Sequence, residues 1–293
     1  MAVKTAQYTF NGQTYNLTYN STTGKWEATV TAPSKSSYSQ TDHVLGGTVK
    51  ATDVAGNTKT VDQSHVTLGA SLKVRVKEKV APVISITAPS AGAYITNTTP
   101  SIEFTVTDAD SGVASIAVTL DGTAISSITK TAVTGGYKCT CKPASALKDG
   151  SHTISVTATD NDGNTSAAKT STFTVDTVPP TLSITAPAEG LVTNKKTVTV
   201  TGKTDDATSK PVTVTVNGSA ATVGTDGSFS KDVTLTEGAN KITIIATDKA
   251  GKTTTVVRNV TLDTAAPVIK SITITPNPVD CGKTFIISVE ITD

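Results

Sequence analysis

Aromatic residues make up only 4% of this 293-residue chain, and arginine stands at just two positions, 75 and 258. Positive charge carried almost wholly by lysine, at a formal net charge of +1, argues against nucleic-acid or phosphate recognition. That chemistry recruits the bidentate guanidinium fork. Cysteine is sparse and odd in number: Cys139, Cys141 and Cys281. The first two stand at i and i+2 of one predicted strand, a poor geometry for a bridge, so all three read as free thiols. Cys139-x-Cys141 resembles half of a metal site, but no second half exists, and filling the core is the better use of the pair. His43, His65 and His152 lie in separate polar segments with no Ser-His or Cys-His pairing. His152 opens a strand after a Gly-Ser turn and reads as a surface or strand-edge residue. No catalytic residue is assigned, and the chain is not expected to be an enzyme. No apolar run approaches membrane-spanning length, and the start Met-Ala-Val-Lys-Thr-Ala-Gln lacks the apolar stretch of a signal peptide. No membrane insertion is expected, and synthesis in the cytoplasm is.

What the chain does contain is Thr, Val, Ser and Ala, with Pro and Gly at regular intervals, which is the composition of an all-β protein. Three short stretches recur in one order. They are a hairpin dipeptide (Asn11-Gly12, Asp121-Gly122, Asn217-Gly218), a Gly-x-aromatic (Gly24-Lys25-Trp26, Gly135-Gly136-Tyr137, Gly227-Ser228-Phe229) and an Ala-Thr-Asp-x-x-Gly turn starting at Ala51, Ala158 and Ala246. Pro82, Pro180 and Pro267 recur at spacings of 98 and 87 residues, the size of one β-sandwich each. Alternation is clearest in the second repeat. Ile102, Phe104 and Val106 form strand B, and Ile116, Val118 and Leu120 form strand C. Tyr137, Cys139 and Cys141 face inward from strand E, and Ile154, Val156 and Ala158 from strand F. Val198, Val200, Val212, Val214 and Val216 begin the same series in the third repeat. No segment keeps a 3.6-residue period, so essentially no helix is expected.

The Ala-Thr-Asp-x-x-Gly turns, the run Asp149-Gly150-Ser151-His152-Thr153-Ile154 and the linker Asp176-Thr177-Val178-Pro179-Pro180-Thr181 resemble bacterial Ig-like repeat domains. These occur in surface proteins and in phage tail, baseplate and decoration proteins of Gram-positive hosts. The resemblance covers most of residues 80–265 and, less strongly, 1–78. It implies tandem immunoglobulin-like β-sandwiches in an elongated row, and it says little about function, because such modules serve as spacers, adhesins and assembly parts alike. The domains read as 1–79, an incomplete sandwich lacking its first two strands; 80–177; 178–265; and 266–293, an orphan strand pair.

Overlaying the tail on the second repeat sets Ile287, Val289 and Ile291 on Ile102, Phe104 and Val106. Overlaying the head sets Tyr8 and Phe10 on Val118 and Leu120, and Trp26 on the core position of Tyr137 and Phe229. The chain thus starts and stops in the same loop of the repeat, and head and tail together would make one more sandwich. Ile272, Ile274, Phe285, Ile287, Val289 and Ile291 are the candidate donor residues, and Tyr8 and Phe10 the candidate acceptors, by the physics of strand addition. A head-to-tail contact of this kind that does not close builds a filament or stack, and with curvature a ring. In the alternative, the first repeat completes itself with the strand at 72–76 and the extra residues around 34–43. The tail is then the start of a fourth domain or docks on another protein.

Two further features invite ligands. Loops B–C and F–G share one end of an Ig-like sandwich, so Asp108 and Asp110 should approach Asp160 and Asp162, and Asp205, Asp206 and Asp248 should approach Asp176. Such clusters suit Ca²⁺ at interdomain junctions, although Asp is also an ordinary turn former; no other cofactor is expected. Tyr15 and Tyr19 have no counterparts in the other repeats and lie on a Thr/Asn-rich strand, where they either bind sugar or protein or fill a smaller core. The expected function is that of a structural or adhesive subunit of a phage tail or related particle, working in a virion or released particle. Its partners would be other copies, tail proteins, or a glycan or protein receptor on the host surface. The alternative is a bacterial cell-surface adhesin or stalk.

Overall fold

The computed structural model describes residues 2–293 and divides into two units, 1–175 and 176–293. It is all-β, with two short 3-10 turns, Thr41–His43 and Gly69–Leu72, as its helical segments among the described residues.

The first domain is built on β1 (Val3–Phe10), β2 (Gln13–Asn20), β3 (Lys25–Glu27), β4 (Leu45–Asp53), β5 (Thr58–Val61) and β6 (Lys73–Val74). Asn11 and Gly12 both take positive φ, 47° and 75°, the requirement of a two-residue hairpin turn whose twist matches its strands. The strands form one sheet in the order β3-β2-β1-β4-β5, with β6 pairing β4. Period-2 alternation places Ala6, Tyr8 and Phe10 on one face, opposite Leu17, Tyr15 and Gln13 on β2. Trp26 departs from the sequence expectation. β3 pairs with β2, which sets Trp26 opposite Tyr19, and Trp26 is half-buried, as Tyr137 of the second repeat is, where Phe229 of the third is buried. The segment expected to complete this domain is partly in place: Leu45 pairs with Val74, Ser37 N–H donates to Val76 O at 2.9 Å, and Val76 is buried.

The central domain is a two-layer sandwich. β7 (Val83–Ala88), β9 (Ile102–Thr107), β12 (Ile128–Val133) and β13 (Gly136–Cys141) make the sheet β12-β13-β9-β7. β8 (Tyr94–Ile95), β10 (Val113–Leu120), β11 (Thr123–Ala124), β14 (Gly150–Asp160) and β15 (Lys169–Val175) make the sheet β11-β10-β14-β15-β8. The core lies between them, with Ile102, Phe104, Val106, Cys139 and Cys141 facing Val118, Leu120, Ile154, Val156, Ala158, Phe173 and Val175. These are the positions that alternation selects, except that Tyr137 and Ile116 pack at the margin.

In the second unit, β16 (Thr181–Ala186), β17 (Leu191–Thr193), β18 (Thr197–Asp205), β19 (Thr213–Val216), β20 (Ser219–Val223), β21 (Ser228–Thr234), β22 (Gly238–Thr247) and β23 (Thr253–Leu262) repeat this plan. Here β20 pairs with both β19 and β21, so the two layers join into one eight-stranded sheet. Val198, Val200, Val214, Phe229, Ile242 and Ile244 are among its core residues. The chain then runs into a two-stranded hairpin, β24 (Val268–Thr275) and β25 (Ile286–Thr292), which pair with each other.

Candidate functional site: two carboxylate cradles and an open sheet

In the first unit, one carboxylate oxygen from each of Glu78, Asp108 and Asp160 lies within 4.8 Å of the others. Asp108 closes the turn after strand B, its Oδ1 accepting from the N–H groups of Asp110, Ser111 and Gly112 at 3.1, 2.9 and 2.8 Å. Asp160 does the same after strand F, with Oδ1 accepting from Asp162 and Asn164 N–H, and Oδ2 from Asn164 Nδ2 at 2.7 Å. Glu78, on the linker, accepts from Ser111 N–H at 2.7 Å. Burial pushes the Glu78 carboxyl above its ordinary range; hydrogen bonds from Ser111 oppose this and the charge of Asp108 adds to it.

Asp108 and Asp160 therefore come together as the loop topology predicts, but Asp110 and Asp162 do not join them. Asp110 Oδ2 accepts from Ser36 N–H at 2.7 Å. Asp162 Oδ2 accepts from Ser36 Oγ–H at 2.5 Å and from Glu78 N–H at 3.2 Å, while Lys77 Nζ donates to Asp162 O at 3.1 Å. These two acids are the joint between the first and central domains, and Glu78 takes their place in the cradle.

The second unit carries the counterpart, Asp176, Asp206 and Asp248, all buried and again within 4.8 Å. Glu78 and Asp176 each stand four residues before a repeat-opening proline, Pro82 and Pro180. Asp206 Oδ1 accepts from Thr208 and Ser209 N–H at 2.8 and 2.7 Å, and Asp176 is held by Val178 N–H and by the Ser209 hydroxyl. Asp205 is not a member: it is exposed and pairs with Lys210 at 2.8 Å. Three convergent hard oxygens are a donor set for Ca²⁺, whose ligands stand at roughly 2.3–2.6 Å.

The other expected groups separate. Phe10 is covered, at 3% exposure. Tyr8, Leu17, Trp26, Ala28, Val30 and Val49 line an open groove of about 290 Å³ on the first-domain sheet. Tyr19 stacks obliquely on Trp26 at 5.8 Å, and Tyr15 donates to Gln13 Oε1. On the tail, Ile272, Ile274, Phe285, Ile287, Val289 and Ile291 are all exposed. The register pairs Ile269, Ile272 and Ile274 with Ile291, Val289 and Ile287, one apolar face. The same arrangement in the central domain, Ile84 with Val106 and Ile86 with Phe104, is covered by the second sheet.

Glycine neighbours register the difference between the repeats. A Cβ at Gly135 would meet Asp108 O at 2.8 Å, and one at Gly227 would meet Thr204 O at 2.0 Å, both at the end of strand B. At the corresponding Gly24 it would meet nothing within 4 Å.

His152, expected at the surface, is buried and hydrogen-bonds Asp121 Oδ2 at 2.7 Å, because the hairpin at Asp121-Gly122 returns beside it. Cys139 and Cys141 are buried and unpaired, and Cys281 is exposed and unpaired. Burial pushes the Cys141 thiol up to about 11, where it is not a nucleophile at neutral pH.

Residues 82–177 match the family model of a bacterial Ig-like domain, and residues 180–264 that of glucodextranase domain B. Bacillopeptidase F of Bacillus subtilis is 39% identical over 126 residues, 43% of this chain and 9% of the relative. Chitinase ChiA of Flavobacterium johnsoniae is 31% identical over 193 residues, 59% of this chain and 12% of the relative. The chain thus spans about a tenth of the length of these curated relatives. Among solved structures, fibronectin(III)-like modules of Clostridium thermocellum CbhA are 22% identical, covering 62% of this chain and 94% of theirs at a TM-score of 0.40.

Proposed function

We propose that this chain is a non-catalytic structural part of a larger assembly, a tandem array of Ig-like sandwiches that joins copies through its terminal strands. The observation that carries this reading is the pairing of β24 with β25. It reproduces the A–B hairpin of the central domain, yet its apolar face is bare, with Ile287 58% and Ile291 57% exposed. The first-domain sheet is missing that hairpin, and Gly24 has open space where strand B sits in the other two repeats. Laid on the first domain in the central domain's register, β25 would set Ile291 opposite Trp26, Val289 opposite Ala28 and Ile287 opposite Val30. The hairpin's 25 residues match the roughly 20–30 a side of a standard interface. A phage tail or similar particle, with the array touching the host surface, is the setting we favour for such a joint.

The similarity to short segments of a large bacterial peptidase and a chitinase favours a second reading. In it the array is a spacer or adhesive arm of a bacterial surface protein. Light scattering on the full chain, beside a variant carrying Ile287→Asp and Val289→Asp, tests the first. Oligomers that fall to monomers in the variant are expected. A wild-type monomer at high concentration would refute assembly through the hairpin and leave the spacer reading.

A further inference from the structure

We infer that Asp176, Asp206 and Asp248 hold a calcium ion in the second unit; this does not rest on the assembly reading. Three carboxylates converge there, and all three residues are at least nine-tenths buried, Asp176 completely so. Bringing several like charges out of water without a counter-charge is costly, and an unpaired acceptor among them adds to that cost. Asp248 supplies such an acceptor. Its Oδ1 accepts from Lys252 N–H at 2.8 Å, while its Oδ2 is buried without a hydrogen-bond partner.

The repeats explain the orphan. In the first, Asn57 Nδ2 donates to Asp53 Oδ2 at 2.9 Å; in the second, Asn164 Nδ2 donates to Asp160 Oδ2 at 2.7 Å. At the corresponding place the third repeat has Lys252, whose backbone keeps its bond while the amide donor is gone. The change leaves one buried carboxylate oxygen free on a member of the cluster.

The donor set selects the ion. Hard carboxylate oxygens exclude soft thiophilic metals. Opposed ligands at Ca²⁺ distances stand close to 5 Å apart, which accommodates the observed spacing, whereas Mg²⁺ retains most of its waters and is seldom caged by several protein carboxylates. The cradle of Glu78, Asp108 and Asp160 binds the same ion more weakly, because Asn164 already occupies Asp160 Oδ2.

The test uses the full chain, freed of metal with a chelator and titrated with CaCl₂ by calorimetry, with thermal unfolding followed in parallel. Wild type is expected to bind calcium in the range of about 10⁻⁴–10⁻³ M or tighter, as extracellular modules do, and to unfold at higher temperature with it. Asp248→Asn keeps the Oδ1 acceptor and turns the orphan into an amide donor. It should weaken the tighter site by roughly 10–100-fold or more, on the scale of losses around metal ligands, and should stabilise the metal-free protein. Lys252→Asn, which leaves all three carboxylates in place and restores the missing donor to Asp248 Oδ2, should shift both quantities the same way by less. Asp160→Asn should leave the tighter site intact. The inference is overturned by an absence of calcium response in wild type, by a wild-type response in Asp248→Asn, or by an equal response to magnesium.

Discussion

Gly24 and Gly227 occupy one position of the repeat and differ in what lies beside them, so replacing each with alanine measures the missing strand. Both have positive φ, 70° and 81°. A side chain there costs about 1–2 kcal/mol from the left-handed backbone alone. At Gly227 the new methyl would also land 2.0 Å from Thr204 O, a backbone atom of the central strand β18 that can move only with its sheet. Overpacking of this kind adds about 1–3 kcal/mol. At Gly24 nothing lies within 4 Å, and the second contribution vanishes. Gly227→Ala should therefore lose roughly 2–5 kcal/mol and Gly24→Ala roughly 1–2 kcal/mol. The sole tryptophan, Trp26, lies in the first domain, so its fluorescence during urea unfolding reads Gly24→Ala. Scanning calorimetry reads Gly227→Ala. In preparations concentrated enough to associate, Gly24→Ala should shift the balance toward monomer, because an arriving strand B meets the new methyl. Equal losses at the two sites in dilute monomer would show that the space beside Gly24 is filled, and would refute the open-sheet argument.

Removing the Phe104 ring, which is fully buried between the central sheets, should cost about 3–5 kcal/mol in Phe104→Ala; urea unfolding followed by circular dichroism checks it. The His152–Asp121 pair gives the central domain a pH dependence with two limbs. Burial lowers the His152 pKa, but the hydrogen bonds to Asp121 and Lys148 O and the Asp121 charge outweigh it and leave it raised. That contribution is full below the unfolded histidine value, roughly 6.5, and is lost as pH rises through the raised folded value. Burial raises the Asp121 carboxyl, but His152 and Thr153 N–H outweigh it and leave it lowered. Its contribution is full above about 3.9 and is lost as pH falls through the depressed folded value. Melting temperatures should thus peak between roughly pH 4 and 6.5, and Asp121→Asn should flatten both limbs. A thiol reagent applied to native protein should label Cys281 rapidly and spare Cys139 and Cys141, as mass spectrometry of tryptic peptides would show, until denaturant exposes all three.

Strands and core were legible because alternation is a local signal: Ile102, Phe104 and Val106 need only each other to declare a buried face. Turn chemistry was equally local, since Asn11-Gly12, Asp121-Gly122 and Asn217-Gly218 all take the left-handed conformations that their types favour. Loop topology correctly paired Asp108 with Asp160, and Asp206 with Asp248 and Asp176. What failed depended on contacts between distant segments. Glu78 sits in a run of alternating charge that reads as a solvated linker, and nothing local says that it folds under the loop at Ser111. Ser36 lies in an irregular segment, yet it takes Asp110 and Asp162 out of the cradle. Trp26 aligned with Tyr137 and Phe229, yet of the three only Phe229 is buried, a difference that alternation along one strand does not register. His152 read as an edge residue because its partner, Asp121, stands 31 positions away. The offset of four residues between Glu78 or Asp176 and the next proline was the one available signal for the linker acids.

Each complete domain routes its first strand through both layers. β7 and β16 pair with strand B, and the chain then crosses to lay β8 parallel to β15, and β17 parallel to β23. These parallel pairs tie the entering strand to the leaving one, with Gly92 N–H to Thr172 O and Thr174 N–H to Ala93 O at 2.8 Å, and Gly190 N–H to Asn259 O and Asp263 N–H to Thr193 O at 2.9 Å. A pull on the two ends of such a domain draws the paired strands in opposite senses along their length. The bonds are sheared together instead of opening one by one. The first domain has no parallel pair among its described strands. Bonds of that sheared kind are therefore found, among the described strands, in the two complete domains.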